Sequence, residues 1–152
     1  MVGEITTRLA DERDLGPLTA FFDSYRQFYG QPSDEAAVAR FLSERLANGD
    51  SVLILAEISG EAAGFVQLYP SFTSIGMCRI FALNDLFVAA HRRGSHVGKA
   101  LVEAAIEHAR AVGAMQLTLS THSGNKVAQA LYEKGGWVRD DQFYVYNYRL
   151  KA

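Results

Sequence analysis

Leu86-Phe87-Val88-Ala89-Ala90-His91-Arg92-Arg93-Gly94-Ser95-His96-Val97-Gly98-Lys99-Ala100-Leu101 decides how this chain is read. Apolar residues of strand character run into a basic, glycine-containing loop, which runs into a helical pattern. The first N–H groups of a helix have no intrahelical acceptor, so such a junction offers backbone donors to a phosphate. His91, Arg92, Arg93, His96 and Lys99 fall close together with no acid among them. Arg93 and Lys99 can add charge-assisted contacts, so a pyrophosphate needs no metal here. The nucleotide-triphosphate loop is excluded: only three residues separate Gly94 from Gly98, and Ala100 stands where a hydroxyl would hold magnesium. The dinucleotide fingerprint fails too, because Gly94-Ser95-His96-Val97-Gly98 is not GxGxxG.

Outward from the loop, the chain alternates between two periods. Residues 4–9 form a strand candidate, and Asp11 can cap a helix with Asp14 as a variant capping box. Leu15, Leu18, Phe21, Phe22 and Tyr25 recur at helical spacing, and the helix should end near 28–30. Ser33 opens a second helix with the stripe Val38, Phe41, Leu42, Arg45, Leu46, stopped at Asn48-Gly49-Asp50. Residues 52–58 and 62–69 are strands around a tight turn at Ser59-Gly60-Glu61, residues 70–76 a loop, and residues 77–88 a longer strand. Asn84-Asp85 interrupts that strand; the pair either faces a cleft or marks a solvated bulge. A helix over 98–112 carries Leu101, Val102, Ala105, Ile106 and Ala109, followed by a strand at 115–120 and a helix at 125–133. Trp137-Val138 and the alternation over 143–150 predict a last hairpin.

The order β-α-α-β-β-β-α-β-α-β-β requires a mixed α/β architecture, one sheet with helices on both faces. A chain of 152 residues with 49% apolar content is expected to form one domain, 1–152. Net charge is −2, from 15 basic and 17 acidic side chains, which gives no reason to expect nucleic-acid binding. The single Cys78 excludes an internal disulfide framework, and no leader or membrane span is expected, so the location predicted is cytoplasmic. His91, His96, His108 and His122 lack metal-ligand spacing, so no metal is expected. Cys78 has no base at diagnostic spacing, which disfavours an acyl-cysteine route.

Arg93-Gly94-Ser95-His96-Val97-Gly98 resembles the pyrophosphate loop of the GNAT superfamily, the acetyl-CoA-dependent N-acetyltransferases, except that His96 replaces a usual glycine. A right-handed conformation at the start of the helix would accommodate the histidine. Asn125-x-x-Ala128-x-x-Leu131-Tyr132-x-x-x-Gly136-Trp137 looks like the family's later cofactor-side helix. Leu68-Tyr69-Pro70-Ser71-Phe72 and residues 83–88 look, less specifically, like the histone, polyamine and amino-acid acetyltransferase branch. The resemblance implies a mostly antiparallel central sheet flanked by helices. It also implies acetyl transfer from acetyl-CoA to a primary amine of a small molecule or peptide, with CoA as product, through a ternary complex. Cofactor contacts carry over to Leu86, Phe87, Val88, the loop from Arg93 to Lys99 (Gly94, Ser95, His96, Val97 and Gly98 between them), Asn125, Ala128 and Tyr132. A main-chain N–H near Phe87 or Val88 would polarise the carbonyl.

Deprotonating an amine of pKa near 10 at pH 7 costs about 4 kcal/mol, so a base or water relay is needed. Asp85, beside the expected thioester, is the first candidate, against a role as a bulge acid held by backbone donors; Glu57 is the second. By the resemblance, Tyr132 is the acid that protonates the departing thiolate, against a plain amphipathic core role. Tyr25, Phe28, Tyr29, Tyr69 and Phe72, with Asp85, are the candidate acceptor site, since aromatic faces attract cations. Alternation of Tyr144, Tyr146 and Tyr148 with Phe143 and Val145 makes a homodimer an expectation. The alternative function is a catalytically weak acyl-CoA-binding or protein-interaction module of the same fold.

Overall fold

The computed structural model describes residues 3–151; Met1, Val2 and Ala152 of the expected domain lie outside the described residues. The chain divides into two compact units, Met1–Ser120 and Thr121–Ala152. The first holds β1 (Ile5–Leu9), α1 (Leu15–Phe28), α2 (Glu35–Asn48), β2 (Val52–Ile58), β3 (Glu61–Thr73), β4 (Cys78–Val88), α3 (Val97–Ala111) and β5 (Gln116–Thr118). The sheet runs β1-β2-β3-β4-β5, antiparallel through β4, with β5 parallel to β4.

Both faces of the sheet are covered, which is why β2 reads as a continuous apolar run. Leu53 and Leu55 join Phe65 of β3 against Leu18 and Phe22 of α1 and Val38 and Leu42 of α2, with Phe87 of β4 packed alongside. Each fully buried leucine of this cluster contributes roughly 2–3 kcal/mol. Gly64, next to Phe65 and so on the other face, meets the Leu101 side chain of α3. A Cβ at Gly64 would also run into the Phe87 carbonyl oxygen. The glycine therefore sets how closely β3, β4 and α3 approach.

Asp11 and Asp14 form the expected capping box, but around a 3-10 turn at Glu12–Asp14 that precedes α1. Arg8 of β1 grips Asp14 with two 2.8 Å hydrogen bonds and Glu57 of β2 with a third of 2.8 Å, tying this turn to the sheet. Asp34, not Ser33, caps α2 by accepting from the Ala37 N–H. The Ser33 hydroxyl and the Asp34 N–H instead donate to the buried Asp23 carboxylate of α1.

The hairpin at Ser59-Gly60 forms as expected, with both residues at positive φ. Its returning strand overruns the expected end at Tyr69, however, and continues through Pro70 to Thr73, where a loop was predicted. Proline is tolerated because β2 partners β3 only as far as Leu68, so Pro70 lies where β3 is an edge on that side and pairs only with Phe81.

The register of β3 against β4 slips once: Gln67 faces Asp85 and Leu68 faces Leu83, leaving Asn84 as the extra residue of a bulge. One extra residue reverses which side chains point to which face. Phe87 accordingly packs on the α1 side, whereas Phe81 meets the His108 ring of α3 at 5.9 Å.

The second unit contains α4 (Lys126–Lys134), capped by Asn125, whose side chain accepts from the Ala128 N–H at 3.1 Å. The predicted last hairpin is a correction: the described residues 137–151 carry no strand. Alternation supports a strand only when a partner satisfies the ladder, and Phe143, Tyr144, Val145, Tyr146, Tyr148 and Leu150 are exposed. At the predicted turn, the Asp140 carboxylate accepts from the Gln142 N–H at 2.9 Å, a local Asx-type bond in place of a hairpin turn.

Gly64→Ala should lower stability by about 2 kcal/mol, because the added methyl meets main chain that cannot yield. Thermal unfolding followed by circular dichroism checks this, and an unchanged midpoint would refute the close-approach explanation.

Candidate active site

The loop before α3 is shaped by backbone handedness. Gly94 (φ +79) and His96 (φ +69, ψ 13) are left-handed, and Ser95 between them is not. Alternation of this kind turns successive N–H groups into one concavity, which the first N–H groups of α3 extend. No side chain caps α3. The Ser95 hydroxyl donates back to the Arg92 carbonyl and so braces the loop.

The expected right-handed conformation of His96 is corrected by this geometry. A Cβ in the left-handed region crowds the main chain and costs roughly 1–2 kcal/mol, which a glycine avoids. The reason His96 is held there is the turn itself, which must reverse direction before the helix can start.

Arg93 folds back onto β4: its Nε donates to the Val88 carbonyl at 3.3 Å, and its guanidinium carbon lies 5.9 Å from the Phe87 ring centroid. Lys99 is exposed, 4.0 Å from Glu103 one turn on. His91 and Arg92 lie 3.7 and 3.5 Å from Glu61, so part of the basic run is locally compensated. Val97 is buried and serves the core with its side chain, leaving only its main chain to the loop.

Ala89 donates its N–H to Ala63 of the β3 segment at 2.8 Å. By alternation, Phe87 and Asp85 direct their main-chain groups toward β3, while Leu86 and Val88 direct theirs the other way. On that other side β5 pairs only Ile80, Phe81 and Ala82. Between Phe87 and Val88, the register therefore favours Val88 as the free N–H. The Phe87 ring is a core wall, 5.5 Å from Phe21 and 6.3 Å from Phe65.

Asp85 is 3% exposed, on the face covered by α1. Gln67 Nε2 donates to its Oδ2 at 2.7 Å, Asn84 Nδ2 donates to its Oδ1 at 3.0 Å, and beside them the Tyr25 hydroxyl of α1 donates to the Asn84 main-chain carbonyl at 3.2 Å. Burial raises its pKa above the usual carboxylate range, and the neighbouring donors, Gln67 first, oppose the rise. Asn84 is thus the bulge residue that one expectation named, but Asp85 is buried rather than solvated, and its donors are side chains rather than the backbone N–H groups expected. Tyr69 is half-buried, and burial followed by the Asp85 charge pushes its phenol up to about 12. Glu57, the second candidate base, is held by the Arg8 guanidinium at 2.8 Å. Sequence reading missed Gln67, fully buried at the centre of β3 with Ser51 donating to its Oε1 at 2.8 Å. The available signal was a polar residue inside the apolar run Phe65-Val66-Gln67-Leu68.

The aromatic candidates divide. Tyr25, Tyr29 and Phe28 meet at the end of α1, with ring centroids 5.1 and 5.2 Å apart in sequence along the group. Phe72 lies instead on the β3 overhang under the Arg79 guanidinium at 4.6 Å, so its ring already has a cation. In the second unit, Tyr132 packs 5.9 Å from Trp137, and Asn125 and Ala128 bond one another at the start of α4.

Residues 18–137 match the model of the Acetyltransferase (GNAT) family. An uncharacterized N-acetyltransferase, YhfO, of Bacillus subtilis strain 168 is 44% identical over 145 residues, covering 95% of this chain and 97% of that one. The crystal structure of a probable acetyltransferase superposes with a TM-score of 0.90 at 36% identity, covering 98% and 99% of the two chains. A predicted acetyltransferase from Clostridium acetobutylicum, solved with acetyl-CoA, shares the fold at a TM-score of 0.75 and 16% identity, covering 95% and 96%. The chain belongs to the GNAT family and is an acetyltransferase.

Replacing His96 with glycine should raise stability by about 1 kcal/mol and the melting midpoint by about 2–4 °C, because the strain of a left-handed Cβ is removed. His96→Ala keeps the Cβ and should give no such rise; equal effects of the two changes in thermal melts would contradict the strain assignment.

Proposed function

We propose that the chain transfers the acetyl group of acetyl-CoA directly to the primary amine of a small molecule or peptide, with both substrates bound together. The observation that carries this reading is the uncapped start of α3, preceded by the left-handed Gly94 and His96. Such a cradle of main-chain donors suits a pyrophosphate, and its residues fit the cofactor that the family uses. The acetyl-CoA in the Clostridium acetobutylicum protein supports the same assignment.

When bound, acetyl-CoA supplies the acetyl group as a thioester. The N–H groups from Gly94 to Lys99, with the Lys99 side chain, hold the phosphates, and Arg93 joins them by releasing its bond to the Val88 carbonyl. Leu86 and Val88 offer strand-like pairing to the pantetheine arm. In the second unit, Asn125, Ala128 and Tyr132 are the residues that the family resemblance assigns to cofactor contact. The Val88 N–H polarises the carbonyl, which stabilises developing negative charge without a metal. Asp85 receives the proton of the acceptor amine, and the Tyr132 hydroxyl protonates the departing sulfur. No covalent enzyme intermediate is required, which agrees with Cys78 lacking an assigned base.

The acceptor is a cationic primary amine. Asp85 supplies negative charge on the α1 side of the sheet, and the exposed Tyr29 and Phe28 rings, grouped with Tyr25 at the end of α1, offer ring faces to an ammonium group. The name of the Bacillus subtilis relative, an N-acetyltransferase, supports nitrogen as the accepting atom. Residues 1–152 act as one domain on this reading, since the family match runs across residues 18–137. Among the described residues no helix is long and apolar enough to cross a membrane. The lone cysteine suits a reducing cytoplasm.

Purified protein is titrated with acetyl-CoA and then assayed for CoA release with diamines, amino acids and lysine peptides. Amine-dependent release supports the reading, whereas binding without release supports the interaction-module alternative. Tyr132→Phe should lower kcat by about 10²-fold, leave acetyl-CoA affinity within about twofold, and remove the alkaline limb of the pH profile. An unchanged kcat and pH profile would remove Tyr132 from the acid role.

A further inference from the structure

Both oxygens of the buried Asp85 carboxylate are met by amide NH2 groups: Gln67 Nε2 donates to Oδ2 at 2.7 Å, and Asn84 Nδ2 donates to Oδ1 at 3.0 Å. A carboxylic acid O–H cannot sit against an N–H donor, so taking up a proton requires one amide to turn away. The two amides differ in their freedom to do so. Gln67 is fully buried, and the half-buried Ser51 hydroxyl donates to its Oε1 at 2.8 Å, so its NH2 cannot leave Oδ2 unless Ser51 turns with it. Asn84 is exposed, and as the extra residue of the bulge it has no partner in β3. Its amide can exchange Asp85 for water. The Tyr25 hydroxyl of α1 meanwhile donates to the Asn84 main-chain carbonyl at 3.2 Å, which keeps the backbone in place when the side chain moves.

We propose that Asn84 gates Asp85: its side chain turns out to solvent, a water takes its place at Oδ1, and the acceptor's proton enters there while Ser51 and Gln67 hold Oδ2. Asn84, Gln67 and Ser51 are positioning residues in this scheme, which rests on the reading of Asp85 as the base. In the step proposed, an N–H bond of the acceptor ammonium breaks and its proton goes to the oxygen of that water, whose own proton passes to Asp85 Oδ1. Nitrogen keeps the bonding pair and becomes the nucleophile. The water is regenerated, and Asp85, left as a neutral acid, returns its proton to solvent by the same opening. Tyr25, which holds the Asn84 main chain, belongs to the ring group with Tyr29 and Phe28, so the ammonium and the gate share one side of the sheet.

The groups around Asp85 are Tyr25 from α1, Gln67 and Tyr69 from β3, and Asn84 from its own strand. Arg45 and Asp50, at the end of α2 and just beyond it, pair with each other at 2.8 Å. Tyr69, pushed up to about 12, stays protonated through the working range and does not titrate in competition. Removing a donor from a buried carboxylate destabilises its charged form and raises its pKa. The rise is full where water cannot replace the donor, at Gln67, and partial where it can, at Asn84.

The test measures kcat and kcat/KM against pH for acetyl-CoA with the panel amine giving the fastest CoA release, alongside 13C-carboxyl NMR titration of Asp85. Asn84→Leu puts an apolar side chain of similar size over Oδ1 and excludes water, whereas Asn84→Ala admits it. The kcat of Asn84→Leu should therefore lie about tenfold or more below that of Asn84→Ala, with little difference in the KM for acetyl-CoA. Gln67→Met should move the acidic limb and the Asp85 titration upward together by about one pH unit, and Asn84→Ala should move them less. Equal kcat in the two Asn84 variants overturns the gate, and so does a larger titration shift from Asn84→Ala than from Gln67→Met. Asp85→Asn should abolish the acidic limb. If it does so while the Asn84 variants turn over equally, the gate fails and the base assignment survives; if it keeps the wild-type profile, the base assignment itself fails. Should Asn84→Leu not fold, the order of the two titration shifts decides.

Discussion

One extra residue in β4 organises the centre of this molecule. Without the bulge at Asn84, a strand whose Phe81 side chain meets α3 would keep that parity to its end, and Asp85 and Phe87 would face α3 as well. The bulge reverses the phase at the point where β4 passes beyond its three-residue pairing with β5. As a result Phe87 closes the core under α1, Asp85 is carried into the same face, and the main-chain groups of Leu86 and Val88 are turned to the unpaired side. A packing requirement and a chemical requirement are met by the same irregularity.

Burying Asp85 carries a desolvation penalty that must be offset locally. The fold does this with neutral donors rather than with a cation: Gln67 and Asn84 supply the hydrogen bonds, and the resulting carboxylate remains easier to protonate than an exposed one. Contrast Asp14, where Arg8 holds the carboxyl below its usual range, and where the group serves only to pin a turn against β1. These two buried aspartates therefore have opposite tendencies: desolvation dominates at Asp85, and the Arg8 hydrogen bonds dominate at Asp14.

The sequence made the element order legible through α4, because apolar period and capping residues act locally and independently of one another. The Asp11–Asp14 capping box, the Ser59-Gly60 turn and the loop before α3 all fall where residue types place them. Features that depend on a neighbour were not legible. Pro70 looked like a breaker, yet it is accommodated because β2 has ended before it reaches that position. The tyrosines of 143–150 looked like a strand, yet alternation cannot supply a ladder partner. His96 was expected to be right-handed because its identity gives no hint of the reversal that the chain must make there. At the candidate site, Asp85 was legible as a polar residue in an apolar strand, whereas Gln67 escaped notice although the same signal marks it.

The junction before α3 presents its amides, while its side chains are occupied elsewhere: Ser95 turns inward, Val97 serves the interior, and Arg93 lies back along β4. Recognition written in main-chain direction is largely indifferent to side-chain spelling, provided that the torsions are kept. Mutational drift can therefore rewrite this segment while its shape persists, and a histidine can stand in a glycine's place at the expense of some stability. Kinship among such proteins is then better judged from torsion angles along the turn than from letters matched one by one.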